Sequence, residues 1–438
     1  MSEPKPVLCV GSSCKSFIAM PNRQPRLRIA AARALAALGL TGGLTLAGAA
    51  AAQTAEVIHW WTSKGESAAV NELAAAYRKA GGTWVDTAIA GGDNARNLAL
   101  TRMAGGKPPT VSQFNASLQF HEIIEEGLLN TIDAVAVPQD WDRLLPEPLR
   151  KFVKVRGNYW AVPVNIHSTN WFWYSKAVLA KAGVTTEPAN LEEFFTALDK
   201  VKASGAIALS LGGQNWQEVM LFNAVLFAAG GRDLYQRFYN STDGTVALTP
   251  EFKKVLTDFK RLKNYVDRGS PNRDWNVASG LVIADKAGFQ VMGDYVKAEF
   301  AAARKVAGRD FGCFPGFGPK APYVIEGDVF VFPKSRDPRV VQAQQLFAKV
   351  VMSKEAQVAF NRKKGSIPVR SDVDMGVVDL CTTLGLAALR DPSRHVPSVE
   401  QMVTPDKSAA IGDAITEFWN TKQTVDRAAR ALAASLRM

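Results

Sequence analysis

A chain of 438 residues, 47% hydrophobic and 21% charged, has ordinary globular composition and the length of two or three domains. The net charge of +11 is partly a leader effect, because residues 1–52 hold six Lys/Arg and one Glu, which leaves +6 on the rest. Those basic residues are scattered, which excludes a nucleic-acid stripe. No segment after the leader approaches 18 uninterrupted apolar residues, which excludes further membrane spans.

In chain order, a polar start with Arg23, Arg26 and Arg28 precedes an Ala/Leu/Gly run over 29–52 that ends in Ala50-Ala51-Ala52. This reads as a secretory signal peptide over 1–52, with the mature chain beginning near Gln53 and Met20 as an alternative start. An uncleaved anchor is the competing reading. Val57–Trp61 is a β-prone strand, and Glu66–Lys79 a helix with Val70, Leu73, Ala74 and Tyr77 on one face. Asn190 to Glu193 has a capping-box pattern ahead of Leu191, Phe194, Phe195 and Leu198. Thr249-Pro250 opens a helix with Phe252, Val255, Leu256, Phe259, Leu262 and Val266 as its stripe and Gly269 as its stop. Asp337-Pro338 opens another. Ala206–Leu211, Leu281–Ile283 and Val329–Phe332 are short apolar runs of strand character. Alternating strands and helices predict an α/β fold with mostly parallel sheets. With no long linker, the domains are expected to exchange chain.

Catalytic signatures are absent: there is no GxSxG, GxxxxGK or HExxH. The four histidines, His59, His121, His167 and His395, have no metal-ligand spacing, so neither metal nor cofactor is expected. Cys313 and Cys381 follow the leader, and an oxidising compartment permits either a disulfide or two free thiols.

Aromatics beside polar residues carry more information. Trp60 and Trp61 precede Thr62, Ser63 and Glu66; Asn165, His167, Asn170, Trp171, Trp173 and Tyr174 share one window; Asp274-Trp275-Asn276 and Asp294-Tyr295 follow. A sugar needs this mixture, since its C–H face packs on a ring and its buried hydroxyls require partners. In a strand the two tryptophans point to opposite faces. Trp61, nearer the strand's C-terminal end, is expected in the cleft and Trp60 in the core. Glu66 has a competing role as a helix cap.

The stretches WWTSKGE, YWAVPVNIHSTNWFWYSKAVLAKAGV, RDWNVASGLVIADKAGFQVMGDYVKAEF and NRKKGSIPVRSDVDM resemble the periplasmic sugar-binding proteins of ABC importers, most of all the glucose/mannose branch of the family 1 solute-binding proteins. The resemblance implies a type II periplasmic binding fold. Its two lobes would be 53–167 with 325–395, and 170–323 with 400–438, joined by a hinge crossed more than once, with the cleft between them. It implies a monomer without catalysis that delivers a sugar to a membrane permease. It also implies the Cys313–Cys381 disulfide and places Trp60, Trp61, Glu66, Trp275, Asp294 and Lys364 on the ligand, with His167 beside them. Asn115 stands where the branch has a lysine, Gln401 where it has a histidine, Ser168 for its arginine and Tyr295 for a tryptophan; Glu326 or Asp328 replaces an acid. These exchanges imply a monosaccharide, small glycoside or short oligosaccharide other than plain glucose. The alternatives are a non-sugar solute such as an amino acid derivative or a polyamine, the polyamine opposed by Lys364, and a glycoside hydrolase using Glu66 and Asp294.

Overall fold

The computed structural model describes residues 53–438, so the leader and its cleavage site lie outside the described residues. Two sheets organise the chain. The first contains β1 (Thr54–His59), β2 (Thr83–Ala88), β3 (Val111–Asn115), β4 (Ala161–Pro163) and β9 (Asp328–Val331), in the order β2-β1-β3-β9-β4. The second contains β5 (Trp171–Ser175), β6 (Ile207–Ser210), β7 (Ala287–Met292) and β8 (Phe311–Phe314), in the order β8-β5-β7-β6. β9 belongs to the first sheet although all of the second precedes it, so the chain returns as its composition suggested.

The sheets are mixed, which corrects the expectation of mostly parallel pairing. β1 is parallel to β2 and β3, and β6 to β7, but β9 runs antiparallel to both β3 and β4, and β5 antiparallel to both β7 and β8. The cause is the exchange of chain. A parallel neighbour needs a crossover helix on the same sheet, whereas β9 enters from the other half.

Local signals set the helices. Ser63 caps Lys64–Lys79 in a capping box with Glu66, and Val70, Leu73, Ala74 and Tyr77 are its buried stripe. Asn190 caps Leu191–Ala203, and Thr249 caps Pro250–Leu262, whose Phe252, Val255, Leu256, Phe259 and Leu262 are buried. Gly269 does not end that helix. It stops at Leu262, passes into a 3-10 turn at Lys263–Tyr265, and Val266 turns extended to bridge Leu209. Leu281–Ile283 is the last turn of a helix, Trp275–Ile283, and not a strand. Three apolar residues fit either element, and the preceding turn decides. Trp171–Ser175 is buried throughout, as expected of a core strand.

Cys313, on β8, and Cys381, in the Leu380–Leu389 helix, form a disulfide with Cα atoms 6.0 Å apart. Gly385 of that helix lies against Trp171 of β5. The helix is thus tied to the second sheet, although the expected first lobe ran to residue 395. The bridge closes a span of 68 residues, worth roughly 4 kcal/mol of lost unfolded-chain entropy. Cys313→Ser/Cys381→Ser is expected to lower the guanidinium midpoint, and dithiothreitol to lower it in the native protein but not in the variant. An unchanged midpoint under reduction would refute a stabilising bridge.

Candidate functional site

Three extended segments meet where the chain passes between the sheets. His167 N–H donates to Glu326 O at 2.8 Å and Glu326 N–H to His167 O at 3.1 Å. Tyr323–Ile325 pairs in parallel with His395–Pro397. Asp294 N–H, at the end of β7, donates to Ser168 O at 3.0 Å. These bonds place side chains of both halves around His167.

His167 is 4% exposed. Its Nδ1 lies 2.6 Å from Asp294 Oδ1 and its Nε2 3.0 Å from Asp328 Oδ2. Asn165 Nδ2 donates to Asp328 Oδ2 at 2.8 Å, Gln113 Nε2 donates to Asp328 Oδ1 at 2.8 Å, and Ser168 N–H donates to Asp294 Oδ2 at 3.2 Å. Burial alone would pull the imidazolium down from 6.5, but Asp294 and then Asp328 outweigh it and hold His167 at about 9. Burial works to raise Asp328, yet its bond to His167 prevails and keeps it below the ordinary carboxylate value. Two buried carboxylates therefore share one buried cation.

A second ion pair lies alongside. Lys364 Nζ donates to Glu66 Oε1 at 2.9 Å, and both are nearly fully buried. Glu66 holds the N3 position of its capping box, so capping and pairing coexist in one carboxylate. Lys364 is the last residue of its helix because Gly365 follows at φ +83°, a left-handed stop. Its ammonium lies 4.9 Å from the ring centre of Tyr295 and 5.8 Å from that of Trp61. Tyr295 meets Trp275 edge-on at 5.0 Å and His167 at 5.4 Å. Both Trp275 and Tyr295 keep partial exposure.

The tryptophan pair reverses its expected roles. Trp61 is 1% exposed and packs on Phe330 and Phe360, whereas Trp60 is partly exposed with the Arg96 guanidinium 5.4 Å above its ring. The strand ends at His59 and the Trp61 N–H turns back to His59 Nδ1, so alternation no longer governs either ring. Gln401 is a second correction. Its Nε2 donates to Ala116 O and its Oε1 accepts from Ser398 N, so the amide holds main chain. Its neighbour Glu400 takes the outward position, where Oε2 accepts from Asn115 Nδ2 at 2.7 Å. The sequence reading missed Gln113, Glu400 and Glu299. The last accepts from Ser63 Oγ and Gly65 N–H across the halves, and a Cβ on Gly65 would sit 2.5 Å from Ala298 Cβ. Strand alternation was available for Gln113, which shares a face with Asn115.

Glu326 is pushed up to about 8, first by burial and then by Glu400, with His167 opposing. Its surface keeps some exposure. Among the described residues no group of His, Cys, Asp and Glu could hold a metal ion, and no helix is long and apolar enough to cross a membrane.

Two α/β lobes with charges of both converging at the chain crossings, beside partly exposed aromatic rings, define a solute-binding architecture. The family model for bacterial extracellular solute-binding proteins matches residues 61–358, and the chain belongs to that family. A probable sugar-binding periplasmic protein of Mesorhizobium japonicum is 39% identical over 78% of this chain and 82% of its own length. One of Rhizobium meliloti is 35% identical over 90% and 96%. Among solved structures, a chitin oligosaccharide binding protein superposes with a TM-score of 0.76 at 18% identity, covering 87% of this chain and 98% of that one. The maltose-bound T. maritima MalE3 gives 0.73 at 17%, over 88% and 99%. At such identities these two establish the type II periplasmic binding fold.

The folded protein keeps the His167 proton between pH 6.5 and about 9, and the Glu326 proton between 4.5 and about 8, where the unfolded chain has lost them. Both contributions therefore decline as pH rises, that of His167 by roughly 3 kcal/mol. Urea midpoints are expected to fall from pH 6 to pH 9, with a shallower fall in His167→Asn. A midpoint that rises across this window would contradict the linkage.

Proposed function

We propose that this protein is the substrate-binding component of an ABC-type carbohydrate importer. It takes up a monosaccharide, small glycoside or short oligosaccharide in the cleft between its lobes and presents it to a membrane permease. The observation that carries the reading is the His167–Asp294–Asp328 cluster beside Trp275 and Tyr295, in a member of the solute-binding family. The sugar-binding names of the relatives and carbohydrate-bound structures of this fold support it.

The recognition chemistry follows from the side chains. Trp275 and Tyr295 offer ring surface to sugar C–H groups. Glu66, Asp294 and Asp328 accept hydroxyl protons, Lys364 and Asn115 donate, and His167, with both ring N–H groups committed, holds the two aspartates in place. Each of these groups already has protein partners, which orient it, and a sugar closing the cleft exchanges water for further partners. Closure is favoured to the extent that the solute binds the closed form more tightly.

The protein acts as a monomer without catalysis, exported by a cleaved signal peptide over 1–52. Its lobes are 53–167 with 325–379, and 170–323 with 380–438, the second taking the disulfide-tied helix. Binding is favoured over glycoside hydrolysis by one arrangement: Glu66 lies on Lys364 and Asp294 on His167. Neither of these two carboxyls is free of a cation, as the acid that protonates a leaving group must be.

Thermal unfolding against a panel of neutral and substituted sugars and glycosides tests the reading. A solute at about a thousand times its dissociation constant stabilises by roughly 4 kcal/mol, which raises the midpoint by several degrees. Trp275→Ala is expected to weaken that solute at least about tenfold while the midpoint of the free protein stays near native. No response to any carbohydrate overturns the assignment.

A further inference from the structure

We propose that the transported carbohydrate bears a protonated amine, as an amino sugar or amino-substituted glycoside, and that Glu326 and Glu400 receive it. The inference rests on the carbohydrate reading above and narrows its substrate class.

The first observation is which side chains share a face. Asp328 pairs with Asn115 across β9 and β3, and the extended run continues back through Glu326, two residues away and on the same side. Asp328 bonds Gln113 on that side, and Asn115 bonds Glu400. The cleft-facing edge of the first sheet therefore presents Gln113, Asn115, Glu326 and Asp328 together, with Glu400 opposite Asn115.

The second is how the cluster's charges are matched. Five carboxyls converge here, on Glu66, Asp294, Glu326, Asp328 and Glu400, against His167 and Lys364, with the buried Lys297, paired to Asp379, also within electrostatic reach of Asp294. His167 is held by Asp294 and Asp328, and Lys364 by Glu66. Neither cation hydrogen-bonds the outer pair of carboxyls, although the charge of His167 acts on Glu326 from a distance. Among the described residues the Glu326 side chain has no hydrogen-bond partner, and Glu400 has the Asn115 amide alone. A partly buried carboxyl without a protein donor ionises less readily, and a second carboxyl beside it adds to the cost.

The third is the setting. These acids lie in the cleft of a solute-binding family member, with the Tyr295 ring close enough to sense the charge of Glu326. An ammonium on the solute supplies three donors and the missing positive charge, while the remaining ring and hydroxyls meet Trp275, Tyr295 and the inner acids. A neutral hydroxyl supplies one donor and leaves the excess of negative charge in place.

Protonation sharpens the test. The titratable groups facing Glu326 are Glu400, His167, Asp328 and Asp294, with the phenols of Tyr235 and Tyr295. At neutral pH Glu326 is largely protonated, so an arriving ammonium ionises it and a proton leaves to solvent. A neutral sugar releases none.

The experiment is calorimetric titration of the exported protein at pH 7 with matched pairs: glucosamine and glucose, galactosamine and galactose, and the disaccharides of chitosan and chitin. Each is run in two buffers of different ionisation enthalpy. The amine of at least one pair is expected to bind about tenfold tighter or more than its neutral partner, with proton release. Glu326→Gln, which mimics the protonated acid, is expected to abolish the proton release and most of the preference. Glu400→Gln is expected to reduce the preference independently. Neutral sugars that bind as tightly as their amines, or a preference that survives both variants, overturn this inference and leave the carbohydrate reading standing. Silence toward every member of every pair overturns the carbohydrate reading itself.

Discussion

One imidazolium shared by two carboxylates sets the terms for the rest of the site. Asp294 comes from the end of β7 in the second sheet and Asp328 from the start of β9 in the first, and His167 lies on the crossing between them. Neither acid is tolerable alone at that depth, since a buried unpaired charge costs several kcal/mol. The histidine compensates both, but only while the two halves keep their positions. The interaction is therefore a constraint on interlobe geometry as much as on charge. Asn165, Gln113 and the Ser168 N–H then satisfy the carboxylate oxygens the imidazolium leaves over.

The Lys364–Glu66 pair repeats this logic within the first lobe, with a different source of rigidity. Glu66 is held by the start of its helix and Lys364 by the end of another, where Gly365 stops the turn. Both charges are thus placed by helix termini, and Trp61 and Tyr295 enclose the ammonium on two sides. Trp61 forms the floor of this pair. A ring buried on Phe330 and Phe360 is better suited to fixing a lysine than to releasing and rebinding a ligand.

What was legible in the sequence divides along the range of the interactions. Caps and stripes at Ser63, Asn190 and Thr249 act within four residues, and the helices they predict are present. The Cys313–Cys381 bridge was also readable, through family resemblance. Sheet direction was not, because β9 owes its antiparallel course to a chain that leaves and returns. The reversal of Trp60 and Trp61 has the same character: where a strand stops is decided by neighbours on other strands, here Gln113, which accepts the Trp60 N–H. Gln401 misled for a local reason. An amide three residues after Ser398 is a capping residue before it is a ligand contact.

The hinge segments explain why charge and shape are coupled here. The pairing of His167 with Glu326 puts one residue from each crossing side by side through their main chains. Their side chains lie on one face, His167 bonded to the matched acids and Glu326 under the opposing charges of Glu400 and His167. The inner group is electrostatically complete within the protein; the outer pair is not. On the proposed reading, a cleft built in this way distinguishes solutes by what they bring to its outer edge, where Glu326 has no side-chain partner among the described residues. The inner cluster sets the geometry of the lobes, and the outer carboxyls set which chemistry completes it.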